Sequence, residues 1–378
     1  MGVKISLLVV ALSLISRVNH AQDWKAYSDS ASTALGKKEI EKGISYLEAS
    51  RNLLAADSAG TKTYTSIINR LATVFFESGK YRDAEKYFLE ERALNELLSG
   101  KISSEYISST NNLAVVNRIL GDFGKSENYA LESNKLIEQV FGKEHVKFAS
   151  SCNTLGTLYL SRGDLEKAEP FLIAARDLRK KLLGDHADYA TSCNNLAILY
   201  VYMGDLDQAI PLYIESKLVR AKMLGTSHPD YAASCNNLGD LYTTIGKFKE
   251  SELLLLEARE IREKTIGKKH PEYAYTCNNL ARLYNETGEY DKCEQYYIES
   301  RNSLADVYGK SHPSYATSTN NLGILYMDLG QYKKAEELFF LSKEIRETKL
   351  GKEHQDYADC CTNLGSLYNQ MTCTHKVI

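Results

Sequence analysis

Apolar residues along this chain recur at intervals of three and four, as in Leu253, Leu254, Leu256, Ala258 and Ile261, which is helix spacing and not strand alternation. The helical stretches are cut at regular points. A leucine closing an Asn-Asn-Leu-like triplet stands at Leu71, Leu113, Leu155, Leu196, Leu238, Leu280, Leu322 and Leu364, in steps of 42 residues with a single step of 41. Gly79, Gly121, Gly163, Gly204, Gly246, Gly288 and Gly330 follow it by eight residues, and Gly100, Gly142, Gly184, Gly225, Gly267, Gly309 and Gly351 by 29. Glycine accepts the left-handed backbone that ends helices, so the two ladders predict two helix ends per unit. A period of this size built from helix pairs predicts a solenoid in which each unit buries its apolar face on its neighbours.

Small residues follow the leucine directly, as in Gly156, Gly239 and Gly323, and another small slot recurs thirteen residues after it, as in Ala168, Ser251 and Ala335. Larger Leu172, Leu255 and Phe339 lie four residues beyond that slot, so large side chains of one helix are expected to fill grooves on the other. His228-Pro229, His270-Pro271 and His312-Pro313 open the first helix, where a missing N–H costs nothing. Pro170 and Pro211 fall inside the second helix, where a lost hydrogen bond and a slight bend are expected. The 41-residue step reflects one residue missing between Gly184 and His186, in a loop.

The order Leu-Gly-x-x-Tyr, then Gly, Ala and an aromatic, resembles the tetratricopeptide repeat across residues 24–371. Gly-Lys-x-His-Pro-x-Tyr-Ala and Asn-Asn-Leu-Ala/Gly in a 42-residue unit are most similar to the kinesin light chain subfamily. The resemblance implies an all-α, right-handed superhelix of antiparallel helix pairs. Local departures are Asn117 in the aromatic slot, Glu91 in a slot usually held by a small residue, and residues 24–65, which lack the Asn-Asn-Leu triplet. The organisation expected is a signal peptide at 1–21, a degenerate cap at 22–65, seven units over 66–358 and an incomplete repeat at 359–378. Thr372 takes a glycine slot and no second helix follows, so the end reads either as a natural cap or as a break in a longer chain. Leu364, Leu367 and Tyr368 would then lack cover, and this end is expected to fray or self-associate, on a chain otherwise expected to be a monomer.

Lys4, the apolar run Ile5–Ile15 and Ala21-Gln22 have the form of a secretory signal peptide, which would export the protein. The run is shorter than the roughly 20 residues of a membrane span, with an interfacial anchor as the alternative. Removing residues 1–21 takes away Lys4 and Arg17 and no acid, so the net charge moves from −3 to −5. No basic cluster suggests nucleic acid.

Cys152, Cys193, Cys235, Cys277 and Cys361 share one repeat position, and residues on neighbouring first helices lie too far apart for disulfides, so they read as buried thiols. Cys293 fills an alanine slot, and Cys360 with Cys373 is the one candidate reactive pair. His145, His186, His228, His270, His312 and His354 form another ladder, which cannot converge on one ion and reads as loop structure at helix entry. No metal site, cofactor or catalytic triad is expected.

The remaining ladder is polar. Asn69, Asn111, Asn153, Asn194, Asn236, Asn278 and Asn320 lie two residues before the leucine, and Asn112, Asn195, Asn237, Asn279, Asn321 and Asn363 one before it. Asparagine is a poor helix former, so its recurrence inside a helix needs a reason. In the family it resembles, the first helices line a concave groove and the earlier asparagine grips the backbone of an extended peptide, which implies a protein or peptide partner. The alternative is that these amides bond to one another and lock the solenoid, with the later row doing the locking. Groove positions around them, including Asp240 and Arg282, are mixed in charge and would set specificity. A second function class stays open, a regulatory arm of a larger enzyme, since arrays similar to this one continue into caspase-like peptidase or signalling kinase domains.

Overall fold

The computed structural model describes residues 23–37, 39–58 and 61–375, and every element among them is a helix. The proposed signal peptide and its cleavage point lie outside the described residues. Two compact units divide after Gly184. The first stacks four pairs: α1 (23–36) with α2 (Ile40–Ser58), α3 (Lys62–Glu77) with α4 (Tyr81–Ser99), α5 (Ser104–Ile119) with α6 (Phe123–Phe141), and α7 (Val146–Arg162) with α8 (Leu165–Leu183). The second also holds four: α9 (Ala187–Met203) with α10 (Leu206–Leu224), α11 (Pro229–Thr244) with α12 (Phe248–Thr265), α13 (Pro271–Glu286) with α14 (Tyr290–Tyr308), and α15 (Pro313–Asp328) with α16 (Tyr332–Leu350). It ends on a lone helix, α17 (Gln355–His375). The degenerate N-terminal segment is thus a true helix pair, closed by Ser50 Oγ donating to the Trp24 carbonyl at 2.9 Å.

The glycine ladders end the helices as their chemistry requires. Gly163 sits at φ 84° and ψ 6°, a left-handed geometry that lets the Asp164 N–H reach the Tyr159 carbonyl at 2.9 Å. Thr372 cannot adopt that conformation cheaply, and α17 runs on to 21 residues where α15 stops at 16. Pro170 and Pro211 lie within α8 and α10, which stay unbroken.

Within each pair the small-to-large match is literal. A Cβ added at Gly156 would come within 2.6 Å of Leu172 Cγ, one at Gly239 within 2.9 Å of Leu255 Cγ, and one at Gly323 within 2.8 Å of Phe339 Cε1. Polar bonds tie the helices together at a second level. Tyr64, Tyr106, Tyr189, Tyr231 and Tyr273 each donate their hydroxyl to a glutamate 26 residues on, as in Tyr189 to Glu215 at 2.6 Å and Tyr106 to Glu132 at 2.7 Å. Three of these glutamates also accept an arginine from the preceding pair: Arg51 on Glu90, Arg92 on Glu132 and Arg259 on Glu299.

At the C-terminal end the exposure expected from the missing helix is only partial. Leu364 and Leu367 are buried in a core with Leu322 and Phe339, because their side of α17 faces the preceding pair. Tyr368 remains 41% exposed and donates to Glu336 at 2.5 Å.

Gly156→Ala should lose roughly 1–3 kcal/mol despite alanine's better helix propensity, because the new methyl overpacks against Leu172. Adding Leu172→Ala should cost less in that background than alone. Additive losses in chemical denaturation would disprove the close approach.

Candidate functional site

The two asparagine rows meet in unit 2. Asn237 Nδ2 donates to Asn194 Oδ1 at 2.9 Å, Asn279 to Asn236 at 3.2 Å, Asn321 to Asn278 at 3.0 Å and Asn363 to Asn320 at 3.0 Å. Each later-row amide therefore bonds the earlier-row amide of the preceding repeat, the locking geometry expected of that row. Asn194, Asn236 and Asn320 are 9%, 7% and 6% exposed. The lock consumes the oxygens of the earlier row. Its nitrogens are used otherwise: Asn236 donates to its own neighbour Asn237 at 3.2 Å, whereas the hydrogen bonds of Asn194, Asn278 and Asn320 engage the oxygen alone.

Unit 1 departs from this scheme. Asn69 donates to Glu91 Oε1 at 3.0 Å, an acceptor that exists only because glutamate occupies a small-residue slot. Asn111 keeps a buried oxygen without a partner, since Thr154 stands where the next repeat's donor amide would be and turns its hydroxyl to the Ser150 carbonyl. Asn153 is half-buried on α7. Asp240 and Arg282, expected to set specificity in a groove of mixed charge, are brought together across α11 and α13. The Arg282 guanidinium donates to the Asp240 carboxylate and, at 2.8 Å, to its carbonyl. A ligand meets them as one neutral pair.

The histidine ladder caps helices. Nδ1 of His145, His186, His228, His270, His312 and His354 accepts the backbone N–H two residues on, at 3.1–3.2 Å. That job needs a neutral ring. Burial holds His270 and His312 below the ordinary imidazole value. Among the described residues no His, Cys, Asp and Glu cluster could hold a metal ion. Cys152, Cys193, Cys235, Cys277 and Cys293 are unbridged and buried. Two cysteines are placed against expectation. Cys361 is exposed on the lone helix α17. Cys360 is fully buried under the Arg346 guanidinium, 3.2 Å away, which removes it as an accessible thiol, and the Cys373 side chain lies outside the described residues.

A further ladder is made of arginine. Arg179, Arg220, Arg262 and Arg346, each 24 residues after its leucine, are 4–6% exposed. Nη1 of Arg220, Arg262 and Arg346 donates to the main-chain oxygens of Asp230, Glu272 and Asp356 at 3.0, 2.9 and 2.8 Å. Nη2 of Arg220 and Arg346 reaches Thr191 and Thr317, and Nη2 of Arg179 reaches Ser150. The repeat spacing was a visible signal, but a charged residue on a helix suggests solvent, and only packing shows that it is interior.

The tetratricopeptide repeat family model matches the chain in five overlapping windows, residues 105–181, 148–216, 190–264, 232–292 and 272–347. No curated protein sequence matches. Among solved structures, BtubC (BKLC) from P. vanneervenii is similar at 22% identity and TM-score 0.51, over 62% of this chain and 94% of that one. A putative kinesin light chain of Podosopora anserina with nearly identical TPR-like repeats is similar at 26% identity and TM-score 0.46, over 55% and 99%. A Rap protein complexed with Competence and Sporulation Factor is similar at 13% identity and TM-score 0.55, over 88% and 97%. The likeness to BtubC and to the Rap protein is one of fold.

The amide lock predicts that Asn237→Ala, Asn279→Ala and Asn321→Ala together lower stability. Three bonds at roughly 1 kcal/mol each outweigh the alanine propensity gain of about half that per site. An unchanged denaturation midpoint would show that the bonds contribute nothing.

The histidine caps predict a pH dependence. The folded pKa values of His270 and His312 lie below the unfolded value of 6.5, so their contribution is complete above that pH. It declines as the pH falls below it, because the unfolded chain takes up protons that the caps refuse. His270→Asn with His312→Asn keeps a capping side chain without titration, and should narrow the melting-temperature difference between about pH 7.5 and about pH 5.5. The same difference in variant and wild type would exclude these caps as the cause.

Proposed function

Because this chain belongs to the tetratricopeptide repeat family, we propose that it is a non-enzymatic scaffold that holds an extended peptide or protein segment along its row of first-helix asparagines. The observation that carries this reading is the division of labour within three earlier-row amides of unit 2. The lock takes Oδ1 of Asn194, Asn278 and Asn320 and leaves Nδ2 as a donor held in a fixed orientation. Main-chain carbonyls of an extended segment are the matching acceptors, and they occur in every sequence. Asn194 and Asn320 are nearly buried, so a segment that uses them lies directly on the first helices. Asp240 and Arg282 act in this reading as a paired rim and not as separate charges. A Rap protein of similar fold, in complex with Competence and Sporulation Factor, is a precedent for a ligand on such an array.

The proposal places the protein outside the cytoplasm as a monomer. Its export rests on Lys4, the apolar run Ile5–Ile15 and Ala21-Gln22.

Asn194→Asp, Asn278→Asp and Asn320→Asp together keep the acceptor that the lock uses and remove the donor offered to a ligand. Peptides selected from a display library on the wild-type chain should bind this variant at least about tenfold more weakly, as loss of one or two net hydrogen bonds implies. The melting temperature reports the lock separately. A folded variant with unchanged affinity would refute the role of the row.

A further inference from the structure

One repeat in unit 1 has a short polar side chain where four other repeats place a buried guanidinium. Twenty-four residues after Leu71 stands Asn95, where Arg179, Arg220, Arg262 and Arg346 stand in their own repeats. The groups that receive those arginines have counterparts here. Glu105 holds the position of Asp230, Glu272 and Asp356, whose main-chain oxygens accept Nη1. Ser66 holds the position of Thr191, Thr317 and Ser150, whose hydroxyls accept Nη2. Between α3, α4 and α5 the shorter Asn95 leaves a cavity of about 460 Å³, lined among others by Ser66, Asn69, Glu91, Asn95, Leu98 and Glu105.

The cavity also has a feature that the occupied slots lack. Glu91 replaces the serine or alanine found at Ser216, Ala258 and Ser342, and brings a carboxyl group into the slot at 6% exposure. Asn69 binds its Oε1, while Oε2 is buried without a partner, as is Nδ2 of Asn95, itself 5% exposed. Burial pushes this carboxyl up to about 7, against the pull of the Asn69 amide that binds it. Ser66, Leu98 and Glu105 are exposed, so the mouth is open, and Lys62 and Glu105 at the rim offset one another in charge.

We propose that this cavity is a binding site for a guanidinium group, supplied by an arginine side chain of a partner polypeptide. The planar donor fork meets Glu91 Oε2, the Glu105 main-chain oxygen and Ser66 Oγ, as the internal arginines meet their acceptors, and the alkyl stem lies on Leu98. Asn95 Nδ2 remains for the carbonyl of the arginine residue itself, which selects a peptide-borne arginine over free guanidinium. Apart from Asn69 the site shares no residue with the amide row, and it stands whether or not that row holds a peptide.

Calorimetric titration of the full chain with N-acetyl-arginine amide, its lysine and citrulline counterparts, and guanidinium chloride tests the site. Arginine amide should bind best, lysine and free guanidinium more weakly, and the isosteric neutral citrulline not measurably. Glu91→Gln should weaken arginine binding by about tenfold or more, the worth of a charge-assisted bond. Glu91→Ser with Asn95→Arg installs the Ser216–Arg220 arrangement, and should abolish binding while raising the melting temperature. The Asp variants of Asn194, Asn278 and Asn320 should bind arginine amide as the wild type does, which separates failure of this site from failure of the amide row. Absent arginine binding, equal binding of citrulline, or unchanged affinity in Glu91→Gln would overturn the assignment.

Discussion

A helix pair of this kind cannot cover its own apolar face, so every polar group between successive pairs is buried by the neighbour that completes the core. Such a group costs free energy unless the neighbour also supplies a partner. The structure meets this constraint the same way in pair after pair. Tyrosine hydroxyls and preceding arginines converge on one glutamate, as at Glu90, Glu132 and Glu299, and a second arginine reaches the next repeat's main chain at Asp230, Glu272 and Asp356. Amide meets amide from Asn194 to Asn363. These bonds are local in sequence steps of one repeat, so they copy along the chain with the core.

The same constraint explains where the copies fail. When one partner of a repeated pair changes, its mate is left buried and unpaired. Thr154 strands the Asn111 oxygen, and Asn95 in place of arginine strands both itself and Glu91. Unit 2 has a milder instance. Leu304 stands in the arginine position, Ser300 Oγ has no partner, and a smaller cavity of about 130 Å³ opens beside Asn278. A solenoid can tolerate such defects singly because each touches only its neighbours. Defects are therefore where a ligand has most to gain, since it can satisfy groups that the chain does not.

Much of the architecture was legible in the chain. The glycine ladders placed the helix ends, His-Pro placed the helix starts, and Gly156 opposite Leu172 placed the close approach, because each depends on backbone conformation or side-chain volume within one helix pair. The thiol ladder was legible down to Cys277 and failed at Cys361: the equivalent Cys235 lies against Glu257 on the second helix of its own pair, a partner that α17 lacks among the described residues. The histidines were correctly set at helix entry, although their use as caps through Nδ1 was not visible.

The sequence by itself determined period, helix content and the positions that face a neighbour, because these follow from 3.6-residue geometry and from residue size. Only the tertiary structure decided which polar atoms are spent. Packing brings Asp240 and Arg282, two groove positions of opposite charge, into one ion pair, and it encloses Arg179, Arg220, Arg262 and Arg346, whose helical spacing gave no sign of burial. Each asparagine carries a donor and an acceptor, and a one-letter string cannot say which of them a neighbour 43 residues away has taken. Hydrogen-bond partners across repeats are set by distances of a few tenths of an ångström between side chains far apart in the chain, and those distances exist only after the helices have packed.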